Sequence, residues 1–68
     1  MDRQQFGEVL RQAREAEGMT KTELANRTGF TLRAVQYWEQ GKKNITLENA
    51  SKLLDALGLE LTITDKPA

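Results

Sequence analysis

Cysteine and histidine are both missing from these 68 residues, and the two absences together remove most of the side-chain chemistry that an enzyme or a metal site uses. Without thiols there are no disulfides to staple the fold and no thiolate nucleophile. Without imidazole the usual zinc ligands and the commonest general base are gone as well. Serine occurs once, at Ser51, with no histidine to activate it. Glu15 and Glu17 stand two apart, a spacing that on a helix turns the carboxylates away from each other instead of into an acid–base pair. There is no glycine-rich phosphate loop, and the carboxylates are not clustered as a cation cage requires. A protein that is not an enzyme and takes no metal and no cofactor is expected.

Proline is present once, at Pro67, so nothing before the tail interrupts a helix. No apolar run approaches the roughly 18 residues of a membrane span, and the opening MDRQQFGEVLRQ has no stretch like a signal peptide. No membrane partner is expected. A chain of this size is one small domain that buries only about 60% of its unfolded surface, so support from outside its own core is expected.

Charge of either sign is not in excess: ten basic and ten acidic residues cancel. By itself that balance argues against a nucleic-acid partner. The order along the chain argues the other way. Between Thr20 and Lys43 the bases are Lys21, Arg27, Arg33, Lys42 and Lys43 and the acids only Glu23 and Glu39, while Glu8, Glu15, Glu17, Glu48, Asp55, Glu60 and Asp65 fall outside. The folded molecule should carry a positive face and an acidic back.

Helix signals recur from the start. Asp2 can cap a first helix, with Gln5 at the return position of a capping box, and Phe6, Val9, Leu10 and Ala13 form its apolar stripe. That helix should end near Gly18. Thr20 and Glu23 make a second capping box, starting a helix at Lys21 that carries Leu24, Ala25 and Thr28 on one face. It should stop near Gly29, where positive φ lets the chain turn sharply. Thr31 can cap a third helix with Val35 and Trp38 facing inward. A polar loop, Gly41 to Asn44, leads to Thr46, the cap of a fourth helix whose stripe is Leu47, Ala50, Leu53, Leu54 and Leu57 and whose end is Gly58.

After Gly58 the period changes from 3.6 to 2. Leu59, Leu61 and Ile63 alternate with Glu60, Thr62 and Thr64, the pattern of a strand with one face to bury. No second strand is visible in the sequence, so its expected partner is another copy of the chain, paired antiparallel across a two-fold axis. The expected division is residues 1–58 as a helical domain and 59–68 as a dimerisation strand with a short tail.

Two short helices folded on each other through a glycine turn, with the small Ala25 where their backbones must approach, resemble the helix-turn-helix of the Cro and phage-repressor type, labelled XRE. The resemblance covers almost the whole chain. It rests on Leu24 and Ala25 in the first motif helix, Gly29 at the turn, Phe30 after it, Val35 in the recognition helix, and Glu39 with Gly41 near its end. Lys21 stands where the family usually has Gln, and Thr28 where it has Val or Ile. The implied fold is mainly α, a repressor-like domain of four helices, or five counting a short turn, with one C-terminal β-strand pairing across a dimer. A bacterial or phage-encoded cytoplasmic protein is implied, binding double-stranded DNA at a two-fold operator.

The resemblance puts Leu32, Arg33, Gln36 and Tyr37 at base-contacting positions, with Lys21 at the corresponding place on the first motif helix. Arg33 can address the guanine O6/N7 edge, Gln36 adenine, and Leu32 a thymine methyl. Free N–H groups at Lys21 and Thr22 can meet a phosphate, and Gln40, Lys42, Lys43 and Asn44 would hold the backbone on the far side. Glu39 aligns with a glutamate that in the family pairs with an arginine of the first helix, here Arg14. Family members that end in such a strand include antitoxins, so the reading is a homodimeric, autoregulatory repressor of antitoxin-like type, with a protein toxin as a further partner. Alternatives are a phage repressor or a restriction–modification controller, and, in another class, a helix-turn-helix that contacts only proteins.

Overall fold

Every helix among the described residues begins on a side-chain oxygen. In the computed structural model, which describes residues 1–59, Asp2 accepts from the N–H of Gln5 at 2.8 Å, and Thr20, Thr31 and Thr46 accept from Glu23, Ala34 and Asn49, each at 3.1 Å. These caps open α1 (Arg3–Ala16), α2 (Lys21–Thr28), α3 (Leu32–Glu39) and α4 (Leu47–Ala56). Gln5 and Glu23 return the favour to the N–H groups of Asp2 and Thr20, completing two capping boxes.

The ends are as local as the beginnings. After α1, α3 and α4 the chain closes the same six-residue ring: Met19 N–H donates to the Arg14 carbonyl at 3.1 Å, Lys42 N–H to Tyr37 at 2.9 Å and Leu59 N–H to Leu54 at 2.8 Å. Each is the Schellman arrangement that satisfies carbonyls left over at a helix end. α2 stops differently, on Gly29 at φ +80°, whose N–H reaches the Ala25 carbonyl at 2.9 Å. The sharp turn to α3 follows from that one left-handed residue.

α1 packs on α3, α3 on α2, and α2 on α4. The core takes one fully buried side chain from each helix, Leu10, Leu24, Val35 and Leu53. Each is worth about 1.5–3 kcal/mol relative to exposure. Met19, Ala25, Trp38 and Leu57 complete the cluster. Phe30, in the turn, meets Trp38 edge to face with ring centroids 4.9 Å apart, which ties the turn to the helix that follows.

Two apolar stripes differ from their expected faces. On α1 the buried residues are Gly7, Leu10 and Arg14, while Val9 is 40% exposed and Phe6 and Ala13 are half-buried. The reason is the approach of α3: a methyl group at Gly7 would overlap the Trp38 carbonyl oxygen and lie 2.7 Å from that of Glu39. The seam thus follows 7, 10 and 14, and Val9 is left at its edge. On α4, Leu47 is 64% exposed, because the first turn projects past the core that Ala50, Leu53, Leu54 and Leu57 enter. Of the expected strand only Leu59 is described, 44% exposed, and Leu61 and Ile63 lie outside the described residues.

Candidate nucleic-acid interface

An eight-residue helix is about 12 Å long, and α3 divides that length between two jobs. Val35, Trp38 and Glu39 are buried on one side. Leu32, Arg33, Gln36 and Tyr37 occupy a contiguous arc of about 140°, taking 100° per residue, on the other. Leu32 is 41% and Tyr37 39% exposed, Arg33 is exposed, and Gln36 is half-buried. Thr31, at the N-cap, leaves the start of this surface open to solvent. All four base-contact candidates on α3 are therefore on one accessible face, although Gln36 sits deepest.

α2 brings Lys21, half-buried, and Thr22, exposed, to its N-terminal turn. Glu23, in the same turn, is committed to the Thr20 N–H, so its carboxylate is tied to the cap. Thr28 replaces the expected aliphatic residue without leaving a buried hydroxyl unsatisfied: its Oγ1 lies 2.8 Å from the Leu24 carbonyl oxygen and 3.2 Å from that of Ala25, sharing one proton, and accepts from Phe30 N–H at 3.4 Å. The methyl group is left for packing.

Beyond α3, Gln40, Lys42, Lys43 and Asn44 are all exposed. Their loop is anchored from beneath, because Trp38 Nε1–H donates to the Asn44 carbonyl at 3.2 Å. Trp38 thereby serves as core and as tether at once. Asn44 is also met from the other end of the chain: Arg3 Nη1 donates to its Oδ1 at 3.4 Å. Nothing local in the sequence marks Arg3, which sits just inside the α1 cap 41 residues away.

Orientation of α3 depends on a buried pair. Arg14 Nε donates to Glu39 Oε2 at 2.7 Å and Arg14 Nη2 to Oε1 at 3.1 Å, with side-chain exposures of 10% and 2%. The remaining arm, Nη1, caps the Met19 carbonyl at 2.7 Å. The hydrogen bonds that Arg14 donates to Glu39 raise its pKa above the ordinary value, which keeps the guanidinium charged throughout. The exposed bases Arg33, Lys42 and Lys43 have no carboxylate within ion-pair distance among the described residues. The outer face of α1 is different in kind: there Arg11 bridges Glu8 and Glu15, and its hydrogen bond lowers the Glu8 pKa.

Among the described residues no helix is long and apolar enough to cross a membrane, and no three metal-ligating side chains come together. A groove of about 360 Å³ lies between the start of α1 and the start of α4, with Met1, Phe6, Ile45 and Leu47 in its wall. It is open and contains no buried charged group.

Comparison with known proteins follows the same lines. A helix-turn-helix family model matches residues 10–63. Among solved structures, the restriction-modification controller protein C.AhdI from Aeromonas hydrophila is 37% identical, with a TM-score of 0.83 over 87% of this chain and 86% of that one. The clp gene regulator ClgR from C. glutamicum is 29% identical, with a TM-score of 0.85 over 87% of this chain and 76% of its own. A chain from the HipA-HipB-O2-O3 complex is 27% identical, with a TM-score of 0.82 over 98% of this chain and 94% of that one. No curated protein sequence matches.

Proposed function

The chain belongs to the helix-turn-helix family of Cro and phage-repressor (XRE) type, DNA-binding transcriptional regulators, and from that premise we propose that it is a homodimer that recognises a two-fold operator and represses transcription from it, its own promoter included. The observation that carries this reading is the exposed arc of α3, where Leu32, Arg33, Gln36 and Tyr37 share one face while Val35 and Trp38 hold the other in the core. An arc of that width fits the major groove, with the first residues nearest the base edges.

In this assignment Arg33 donates to guanine O6 and N7, Gln36 pairs with adenine, Leu32 covers a thymine methyl and Tyr37 reaches the flank. Lys21 adds a base contact from α2. Thr22, Gln40, Lys42, Lys43 and Asn44 hold phosphates on either side, fixing register without reading sequence. Residues 59–68 carry the dimer contact through Leu59, Leu61 and Ile63, which leaves residues 1–58 as the reading head. Two heads are needed because one recognition helix spans only a few base pairs.

Two versions of the regulator have separate support. A restriction–modification controller is favoured by the 37% identity with C.AhdI, a chain of nearly matching extent. An antitoxin-like autoregulator with a protein toxin as second partner is favoured by the likeness, over 98% of this chain, to a chain of the HipA-HipB-O2-O3 complex. Selection of binding sites from random duplexes tests the common reading: a two-fold consensus supports it, and failure to enrich any sequence at low salt overturns it. Co-purification from the native host then separates the versions, a stoichiometric protein partner marking the antitoxin.

A further inference from the structure

Asn44 is held at two points by elements that are distant in sequence. Trp38 of the recognition helix donates to its backbone carbonyl at 3.2 Å, and Arg3 of α1 donates to its side-chain Oδ1 at 3.4 Å. The second contact settles which way the amide faces. Arginine only donates, so the oxygen of Asn44 must turn to Arg3 and the NH₂ must point away from it. Both side chains are exposed.

Arg11 and Arg14 are engaged by carboxylates, whereas Arg3 has no carboxylate partner among the described residues. Its neighbour Asp2 is occupied as the α1 cap, accepting from Gln5 N–H. One guanidinium arm lies on Asn44, and the exposed Arg3 side chain also borders, with Asn44, the groove between the starts of α1 and α4. Arg3 of α1 thus reaches, through the Asn44 amide, the loop on which Lys42 and Lys43 are exposed two residues and one residue before it.

We propose that Arg3 completes a phosphate-binding edge with Lys42, Lys43 and Asn44, turning the Asn44 NH₂ toward the DNA backbone and contacting a phosphate with its own guanidinium. The inference rests on the DNA-binding reading above. Arg3 carries no sequence information in this role; it sets how firmly the loop side of the domain is clamped.

The test is anisotropy titration of a mixed-sequence duplex, two helical turns long, by the full chain over a salt series. Arg3→Ala should make the slope of log K against log salt shallower by about 0.9, the value for one phosphate, which at 0.1 M salt is about an eightfold weaker affinity on any sequence. Arg3→Lys should restore the slope. Asn44→Ala should cost less in the Arg3→Ala background than in the parent, since the amide is no longer directed. An unchanged salt slope for Arg3→Ala, or full additivity of the two substitutions, overturns the proposal even if the parent binds. A parent that binds no duplex at low salt instead removes the DNA-binding reading on which it stands.

Discussion

Arg14 and Glu39 meet side-on through two hydrogen bonds across the α1–α3 seam, at 2.7 and 3.1 Å, and neither has appreciable access to water. Truncating Arg14 leaves the Glu39 carboxylate buried and alone, which costs about 3–5 kcal/mol; truncating Glu39 leaves Arg14 with the Met19 carbonyl and the more distant Glu15 carboxylate at 3.9 Å, toward the lower end of that range. Arg14→Ala and Glu39→Ala should each lower the melting temperature by more than about 10 °C for a domain of this size, with DNA affinity falling as α3 loses its seat. The double replacement Arg14→Met with Glu39→Leu removes both charges and should cost less than either single truncation. Single variants that melt with the parent and lose only affinity would make these residues DNA contacts instead.

Gly7→Ala sets two effects against each other. Alanine gains about 0.8–1.0 kcal/mol of helix propensity over glycine, but its methyl group would press on the carbonyl oxygens of Trp38 and Glu39, which are backbone and cannot rotate aside. The steric effect should win and thermal unfolding should move to lower temperature. A melting point at or above the parent's would show that α1 and α3 separate at a cost no greater than the gain in helix propensity.

On DNA, Arg33 and Lys43 should part company. Arg33→Ala is expected to cost about 1–3 kcal/mol on the selected operator and to relax one base position. Lys43→Ala should weaken operator and random duplex alike and reduce the salt slope by about 0.9. Equal losses on both duplexes for both variants would remove the division between reading and clamping residues.

The terminal residues are predicted to act far from the DNA. A chain ending at Gly58, or Leu61→Pro in the full chain to delete a ladder donor, should sediment as a folded, less stable monomer. It should fail on the two-fold site at concentrations where the parent binds, because the second half-site is no longer held at high effective concentration. Persistence of the dimer in sedimentation would place the interface on the helices.

Helix boundaries and stops were written in the residues themselves. Asp2, Thr20, Thr31 and Thr46 cap, and Gly18, Gly29, Gly41 and Gly58 end what they begin, since a cap and its N–H partner are three residues apart and need nothing else from the fold. The two-helix motif was legible for the same reason, being a local pattern joined by one left-handed glycine. Which face of α1 enters the core was not local. Phe6, Val9, Leu10 and Ala13 make a sound helical stripe, but the stripe is wider than the seam, and the close approach of the α3 carbonyls at Gly7 selected 7, 10 and 14. The link between Arg3 and Asn44 needed the complete packing, because their 41-residue separation has no periodicity to reveal it. Sequence alone determined the four described helices, whose hydrogen bonds close within six residues; the tertiary structure decided their faces and long-range pairs, which depend on how closely two backbones can approach.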